Sequence, residues 1–281
     1  MTSVLKPGPS APWWHREFYR SVGQVPADVI GAAHAMSAHA SAMARTLETR
    51  QNVDRVIGDL AFGVSTIDEW RTRLFVDAGF TGNGADYHDP RNSALPDVLH
   101  RKLGIPISLA LVGRLVAERA GLSAWGIGLP GHFLLGVAPP HVPLGAWWHE
   151  EARVVDPFSG GRSMSPGDVE VLFSTMFGRD HSFDLSMLRA ISDDAMFVRM
   201  LANLKANYAR GRSLGGLTAV VRLRTCLPDW SLDEGRELVR LLALGCILDE
   251  ATEVLDALDA CFPAASDILA AERARLARSL N

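Results

Sequence analysis

The sequence predicts an α+β core, with a central buried helix packed on a small antiparallel sheet, followed by an all-α region. Residues 95–137 read as a turn, an apolar helix, a second turn and two strands. From about Leu185 onward only helical patterns occur. We therefore expect an N-terminal arm over 1–24, the α+β core over 25–184 and a helical tail over 185–281.

Composition and charge exclude several classes of protein. The chain has 281 residues and a formal net charge of −4. Because it has no dense basic tract, there is no electrostatic reason for it to bind nucleic acid. The longest apolar runs, such as residues 105–112, are far shorter than the roughly 20 residues of a membrane span. The start of the chain also lacks the continuous apolar segment of a signal peptide, so we expect a cytoplasmic protein.

The cysteines and histidines do not follow a metal-binding pattern. Cys226, Cys246 and Cys261 are an odd number of cysteines without CxxC spacing, which indicates neither a disulfide framework nor a zinc site. We expect them to be structural thiols. No HExxH or similar close-spaced ligand set occurs, so no metal and no cofactor is predicted.

The N-terminal third is predicted to be an arm followed by helices. The arm, residues 1–24, contains three prolines and the pair Trp13 and Trp14, which we expect to dock on the body of the protein. The helices are predicted over 26–50, 53–62 and 66–75. Ser65 or Thr66 is suited to cap the last of these helices.

A glycine-rich loop with several polar side chains follows at residues 79–94. Asp89 precedes a proline, and Asn92 and Ser93 are suitable caps for a helix over 95–103. Two interpretations of these three side chains are open. They form a polar wall around a site, or they bond within their own loop through Asx-type turns.

The central helix is predicted to begin directly after a turn. Gly104 ends the preceding helix, and Pro106 occupies the first turn of the next one, where a missing N–H is tolerated. Apolar residues cover most of this helix until Gly121 stops it. Strands are predicted over 124–129, 132–137 and 146–155.

These elements can form a chemical site. The N-terminus of a buried helix lowers the pKa of a thiol and offers N–H groups to an oxyanion. His132, on a facing strand, could act as a base, and Asp156, at the end of a later strand, could orient it. This is the logic of a Cys-His-Asp triad in an α+β fold.

The same part of the chain resembles a known family. The segments that carry the resemblance are GFTGNGADYHDPRNSALPDVL, RKLGIPISLALVGRLVAERAGL, GLPGHFLLGV and VVDPFSGG. Over about Phe75 to Gly161 they resemble the transglutaminase-like superfamily, in the bacterial branch typified by SirB regulators. The resemblance implies a transglutaminase-like (papain-like) core followed by a tetratricopeptide-like tail.

The resemblance also implies which residues form the site. Active members open the helix with Gly-x-Cys, so Gly104 matches the glycine and Pro106 stands at the cysteine. His132 matches the base and Asp156 matches the orienting acid. Proline has neither a nucleophile nor an amide hydrogen. Ser108 is rotated by about 200° from position 106 on the helix, so we expect it to face away from His132.

The tail contains a weak internal repeat. The sequence CLP at 226–228 recurs as CFP at 261–263, 35 residues later, and each follows a helix with apolar residues at helical spacing. A period near 34 residues with a closing proline is typical of tetratricopeptide-type helix pairs.

Two functions are open. In the first, the chain is a non-catalytic module that retains a pocket for a small ligand or peptide and binds a protein partner through its tail. In the second, His132 and Asp156 serve an amide or thioester hydrolase or acyltransferase with a non-standard nucleophile. The pair could also simply fix a corner between strands. Candidate ligand-contacting residues are Tyr87, His88, Asp89, Asn92, Ser93 and Ser108.

Overall fold

The structure is a computed structural model and describes residues 4–41, 43–45, 47–178 and 181–278. The chain forms two compact units. Residues 45–196 form the first, which we call the central unit, and the segments before and after it form the second, the helical unit. The domain boundaries expected after residues 24 and 184 stay a prediction.

Helices make up most of the described chain. They are α1 (Trp13–Val22), α2 (Val29–Ser37), α3 (Leu47–Ala61), α4 (Ile67–Arg71), α5 (Leu95–Arg101), α6 (Pro106–Arg119), α7 (Pro166–Phe177), α8 (Asp193–Arg210), α9 (Leu214–Thr225), α10 (Leu232–Leu244), α11 (Leu248–Cys261) and α12 (Ser266–Arg278). A π-helical turn, Thr72–Asp77, extends α4.

The strands form two sheets in the central unit. They are β1 (Thr81–Gly82), β2 (Leu103–Gly104), β3 (Ser123–Ile127), β4 (Leu134–Ala138), β5 (Arg153–Asp156) and β6 (Arg162–Met164). β1 and β2 pair in parallel, whereas β3, β4, β5 and β6 form an antiparallel sheet in that order. The fold class is therefore α+β, as predicted.

α6 is the buried centre of the central unit. It begins at Pro106 as predicted, and Gly121, just beyond its end, has a φ of +80°. Every residue from Pro106 to Gly113 is buried, and the helix packs against β3 and β4. Burial of each aliphatic side chain stabilises the folded state by about 1.5–3 kcal/mol. Trp70 of α4 donates its indole N–H to the Gly113 carbonyl at 2.9 Å, which joins the two helices.

The first 50 residues differ from the prediction. The expected arm contains α1, and its Phe18 is fully buried. The helix expected over 26–50 is interrupted, because α2 ends at Ser37 and α3 begins only at Leu47. The Ser41 hydroxyl accepts a hydrogen bond from the Met43 amide, a local turn that competes with continued helix.

The strand predicted over 146–155 is also wrong for its first part. β5 begins only at Arg153, and the preceding loop turns back on itself. The Ala146 amide donates to the Pro143 carbonyl at 3.0 Å, and the Ala152 amide donates to the His149 carbonyl at 2.9 Å. Amides satisfied in such turns are not available to a sheet ladder.

The helical unit has its own core. α9, α10, α11 and α12 pack in succession. The Arg222 side chain of α9 and the Glu250 side chain of α11 form a buried bidentate ion pair with distances of 2.8 and 2.6 Å. The sequence recurrence at 226–228 and 261–263 corresponds to the ends of α9 and α11.

From Leu185 onward the described residues form helices and turns, apart from one β-bridge between Ala190 and Ile127. In the ranges that the structure describes, no helix combines the length and apolar character needed to cross a membrane.

Candidate functional site

His132 lies in the turn that leads into β4, two residues before the strand begins. The prediction that it belongs to the strand is therefore wrong. Gly131 has a φ of +70°, a conformation that favours glycine, and the His132 amide donates to the Leu129 carbonyl at 3.2 Å. Because of this turn, the pairing of β4 with β3 begins only at Leu134, and the His132 imidazole lies just beyond the end of the sheet.

Asp156 is the last residue of β5, as predicted, and it contacts His132. The His132 Nε2 atom lies 3.1 Å from Asp156 Oδ1, and the two side chains are only 12% and 6% exposed. The antiparallel register pairs Leu135 of β4 with Val155 of β5, so the start of one strand lies beside the end of the other. Sheet pairing thus brings together two residues that are distant in sequence.

The Asp156 carboxylate also has partners in its own turn. The Phe158 amide donates to Oδ1 at 2.9 Å, and the Ser159 hydroxyl donates to Oδ2 at 2.8 Å. Burial raises the pKa of Asp156, but the contact with His132 and these two donors outweigh burial and lower the pKa below its usual value. The carboxylate is therefore charged at neutral pH and suited to orient the imidazole.

Phe158 is a site residue that the sequence reasoning missed. Its ring stands edge-on to His132, with centroids 6.4 Å apart, and its centroid lies 5.9 Å from that of Tyr87. The same ring packs over Gly82 of β1, and the Gly82 amide donates to the Phe158 carbonyl at 3.0 Å. The sequence DPF at 156–158 predicts only the end of a strand, although an aromatic residue beside a candidate acid is a usable signal.

Pro106 and Ser108 lie at the start of α6. Pro106 is the first residue of the helix and is buried. The Ser108 hydroxyl lies 2.5 Å from the Asn92 carbonyl oxygen, to which it donates, and accepts from the Ile105 amide at 3.1 Å. The Ser108 hydroxyl is therefore engaged in holding the loop before α5 against the start of α6. Its expected orientation away from His132 stays a prediction.

The polar residues of the 79–94 loop bond mainly to the loop itself. The Asn92 side-chain amide donates to the Asp86 carbonyl at 2.7 Å, and its Oδ1 accepts from the Asn83 side chain at 3.0 Å. Asp89 Oδ1 accepts from the Arg91 amide at 2.9 Å, which is an Asx-type turn. These bonds close the loop.

The proposed helix caps in this loop are wrong. The N-cap of α5 is Ala94, which has no side-chain cap. Asn92 and Ser93 instead belong to a short 3₁₀ turn, Pro90–Ser93, and the Asn92 amide group bonds within the loop. A side chain caps a helix only from the N-cap position, and the 3₁₀ turn places Asn92 and Ser93 before that position, which Ala94 occupies.

The candidate ligand-contacting residues fall into two groups. Tyr87 and His88 are exposed, and Asp89 is half-buried. The Tyr87 ring contacts Phe158, which in turn contacts His132. The members of the second group are buried: Asn92, Ser93 and Ser108. Of the buried group, Asn92 bonds within the loop, and Ser108 bonds to the Asn92 carbonyl.

A metal centre has no basis in the described residues. Within the ranges that the structure covers, no group of three or more His, Cys, Asp or Glu side chains is arranged to hold a metal ion. The cysteines all belong to the helical unit. Burial raises the pKa of the Cys226 thiol, which makes it an inert structural thiol.

Comparison with known proteins places this site in a family. The family model described as transglutaminase-like superfamily matches residues 33–202, more than half of the chain. The chain belongs to the transglutaminase-like superfamily. The transglutaminase-like match includes α6, His132 and Asp156, whereas α9 to α12 lie beyond it. No solved structure matches the chain.

Similar proteins occur in bacteria and in mammals. A UPF0162 protein of Xylella fastidiosa is 34% identical over 139 residues, which cover 48% of this chain and 46% of the relative. A UPF0162 protein of Pseudomonas aeruginosa is 30% identical over 145 residues, covering 51% and 49%. F-box only protein 21 of Homo sapiens is 31% identical over 80 residues, covering 28% and 13%. The chain thus spans about half the length of these bacterial relatives.

Proposed function

We propose that this protein is a non-catalytic transglutaminase-like module that retains the His132–Asp156 pair as part of a ligand-binding site. The observation that carries the proposal is the buried Pro106 at the start of α6, where the resemblance predicts the nucleophilic cysteine. Proline lacks both a nucleophilic atom and an N–H for an oxyanion. The position therefore lacks two of the parts that acyl transfer needs.

Two nearby hydroxyl groups are committed to other bonds. Ser108 donates to the Asn92 carbonyl, and Ser159 donates to the Asp156 carboxylate. A serine becomes a good nucleophile only when a base accepts its proton. Ser159 shares the carboxylate with His132 and is thus better suited to hold Asp156 than to attack a substrate.

Three finer points belong to the same proposal. The ordered motifs around α6, His132 and Asp156 support the SirB-type branch of the superfamily. The packing of α6 on the antiparallel β3–β6 sheet supports a papain-like arrangement. The 35-residue recurrence at the ends of α9 and α11 supports a tetratricopeptide-like tail that binds a protein partner. We place the protein in the cytoplasm, and we assign it no nucleic-acid partner.

The ligand-binding surface that we propose consists of the exposed Tyr87 and His88 beside the ring of Phe158 and the imidazole of His132. Such a surface offers two aromatic rings and a His–Asp pair to a small ligand or a short peptide. Aromatic rings supply contact area at little cost in conformational entropy, and the polar pair fixes orientation.

A hydrolase or acyltransferase is the second candidate, and the intact His132–Asp156 contact favours it. A charged Asp156 beside the imidazole could let His132 activate a water molecule or an unusual nucleophile. This candidate requires turnover that depends on His132, whereas the binding module requires none.

A turnover assay separates the two candidates. Wild-type protein and a His132→Ala variant are compared with fluorogenic amide, ester and thioester substrates. We expect both proteins to match the buffer rate. Turnover by the wild type that His132→Ala abolishes would reject the non-catalytic proposal and support the hydrolase.

A cysteine introduced at position 106 tests whether His132 lies close enough to activate a nucleophile there. In a Pro106→Cys variant, we expect alkylation of the introduced thiol by iodoacetamide at pH 7 to be at least about tenfold faster than in Pro106→Cys with His132→Ala, because a nearby imidazole favours the thiolate. Site-resolved mass spectrometry distinguishes this thiol from Cys226, Cys246 and Cys261. Equal rates would contradict the arrangement that the resemblance implies, in which His132 faces position 106.

The binding half of the proposal is tested with a fragment library screened by ligand-observed NMR. We expect a set of fragments that binds the wild type and is lost in both Tyr87→Ala and His132→Ala variants. Fragments that bind all three proteins equally would place the ligand elsewhere and contradict the proposed surface.

A further inference from the structure

An open groove lies between α10 and α12 in the helical unit. It encloses about 330 Å³ and is lined by the apolar side chains of Val239, Ala243, Leu244 and Leu276 together with Arg240, Glu272 and Arg275. Leu244, at the end of α10, is 70% exposed. A leucine this open beside three more apolar residues offers a place for an apolar side chain of another molecule.

The charged wall of this groove is built around one carboxylate. Glu272 is only 3% exposed, and its oxygens accept hydrogen bonds from Arg236, Arg240 and Arg275. Burial raises the pKa of Glu272, but the bonds from Arg240 and Arg236 outweigh it and lower the pKa, so the carboxylate is charged. Three guanidinium groups therefore donate to one buried carboxylate.

Arg240 is the guanidinium that reaches the rim. Its side chain is 50% exposed and binds the shared carboxylate of Glu272. Arg236 has a second acid, Asp233, at 3.0 Å.

The other acids of α10 and α12 lie toward the starts of these helices. Glu234 binds Arg224 at 3.2 Å, and Glu237 binds Lys205 at 2.6 Å, so each has a basic partner outside the groove. Asp267 occupies the first turn of α12. Among the seven side chains that line the groove, Glu272 is the acidic one, and its charge is already shared by arginines.

Arg273 shows the contrasting arrangement on the same helix. It donates to Asp256 at 2.8 Å and to Asp259 at 2.6 Å, so two carboxylates compensate one guanidinium. On the groove side of α12, three guanidinium groups lie beside the carboxylates of Glu272 and Asp233. On the other side, two carboxylates lie beside one guanidinium. Positive charge is concentrated on the groove side, although the whole chain is acidic.

We propose that this groove binds an acidic, amphipathic helical segment of a protein partner. Leucine-like side chains of the segment would pack on the exposed Leu244, next to the buried Leu276, and its carboxylates would bind Arg240 at the rim. Apolar anchors in a groove with complementary charge around them are the usual means of recognising such segments. The inference rests on the part of the proposed function that assigns protein partners to the helical region, and it names the surface and the partner's chemistry.

A random 12-residue peptide library displayed on phage, selected against the full chain, is the probe. We expect enriched peptides to combine Asp or Glu with Leu or Phe at a spacing of three or four residues. One enriched peptide is then synthesised with a fluorophore, and its binding is followed by fluorescence polarisation in 50 and 300 mM salt. Binding should weaken at the higher salt, because the rim contact is electrostatic.

Three variants localise the contact. We expect Arg240→Gln and Leu244→Ser each to weaken binding of the enriched peptide by about tenfold. Arg273→Gln removes the same charge from the other side of α12 and should leave affinity within about twofold. Circular dichroism melting of each variant checks that the fold is retained. We expect it to be retained, because positions 240 and 244 are exposed and Arg236 still donates to Glu272 in both variants.

Clear outcomes would overturn the inference. Enriched peptides without acidic residues, or peptides that bind Arg240→Gln and Leu244→Ser as tightly as the wild type, would contradict it. So would a dimer in light scattering that Leu244→Ser dissociates, since a second copy would then occupy the groove. A His132→Ala variant should bind the peptide normally, so failure of the ligand-binding proposal at His132 leaves this result unaffected.

Discussion

The ring of Phe158 packs so closely over Gly82 that a Cβ atom at position 82 would lie 2.4 Å from it. This contact links the β1 strand and the 79–94 loop to the turn that holds Asp156. The Phe158 amide binds Asp156, and the ring meets both His132 and Tyr87. The absence of a side chain at Gly82 is therefore a condition for the observed geometry of the candidate site.

Gly82→Ala is expected to destabilise the protein by about 1–3 kcal/mol, because an added methyl in a packed contact forces the ring to move. The free energy of unfolding in urea measures the effect. Gly84→Ala is the matched control, since no atom lies within 4 Å of a Cβ there, and it should change stability by less than about 0.5 kcal/mol. Equal effects of the two substitutions would contradict the close packing.

Ser159→Ala is expected to raise the pKa of Asp156, because it removes a hydroxyl that donates to the charged carboxylate. A carboxyl group whose pKa is lowered by folding stabilises the native state above its unfolded pKa, and this stabilisation is lost as the pH falls through the folded pKa. Carboxyl ¹³C NMR of Asp156 should show the shift. The exposed Ser163→Ala on β6 serves as control, and a shift of the same size there would refute the assigned cause.

Two histidines of the helical unit should make stability sensitive to mild acid. Burial, with the charge of Arg222 nearby, lowers the pKa of His15 to about 3, and burial lowers the pKa of His39 to about 4. Both are neutral when folded, so unfolding takes up protons below the unfolded pKa of 6.5. Their contribution is complete above pH 6.5 and is lost progressively between pH 6.5 and these lowered values.

Urea unfolding at pH 7, 6 and 5 tests this dependence. Each histidine contributes a slope of at most about 1.4 kcal/mol per pH unit in this range. His15→Gln and His39→Gln remove one proton-binding group each and should flatten the pH dependence of the unfolding free energy. An unchanged slope in both variants would show that these rings are not the acid-sensitive groups.

Removing one partner of the Arg222–Glu250 ion pair should destabilise the protein strongly, whereas replacing both with apolar residues should destabilise it little. Both residues are buried, at 6% and 2% exposure. Arg222→Met leaves a buried carboxylate without its bidentate partner and should cost about 3–5 kcal/mol. The double variant Arg222→Met with Glu250→Leu removes both charges and should recover most of that loss.

A double-mutant cycle in urea measures the coupling between these two residues. The exposed pair Arg55 and Asp59 is the comparison, and Asp59→Asn should cost less than about 0.5 kcal/mol. If Arg222→Met were no more damaging than Asp59→Asn, the buried pair would not support the helical unit in the way its geometry indicates.

Local chemistry in the sequence determined much of the central unit. Pro106 and Gly121 mark the ends of α6 correctly, because a proline suits a first helical turn and a glycine suits the positive φ that follows a helix. The candidate acid Asp156 ends its strand as expected. The α+β class and the helical character of the region after Leu185 also follow from periodicity alone.

Only the tertiary structure decided how these pieces meet. The register of β4 against β5 brings His132 to Asp156, and no local pattern encodes that pairing. Phe158 reaches His132, Tyr87 and Gly82 through packing between segments that are far apart in sequence. The engagement of Asn92 with its own loop likewise depends on which partners the fold supplies. Turn and cap preferences act over a few residues, whereas a site is assembled by contacts across the whole unit.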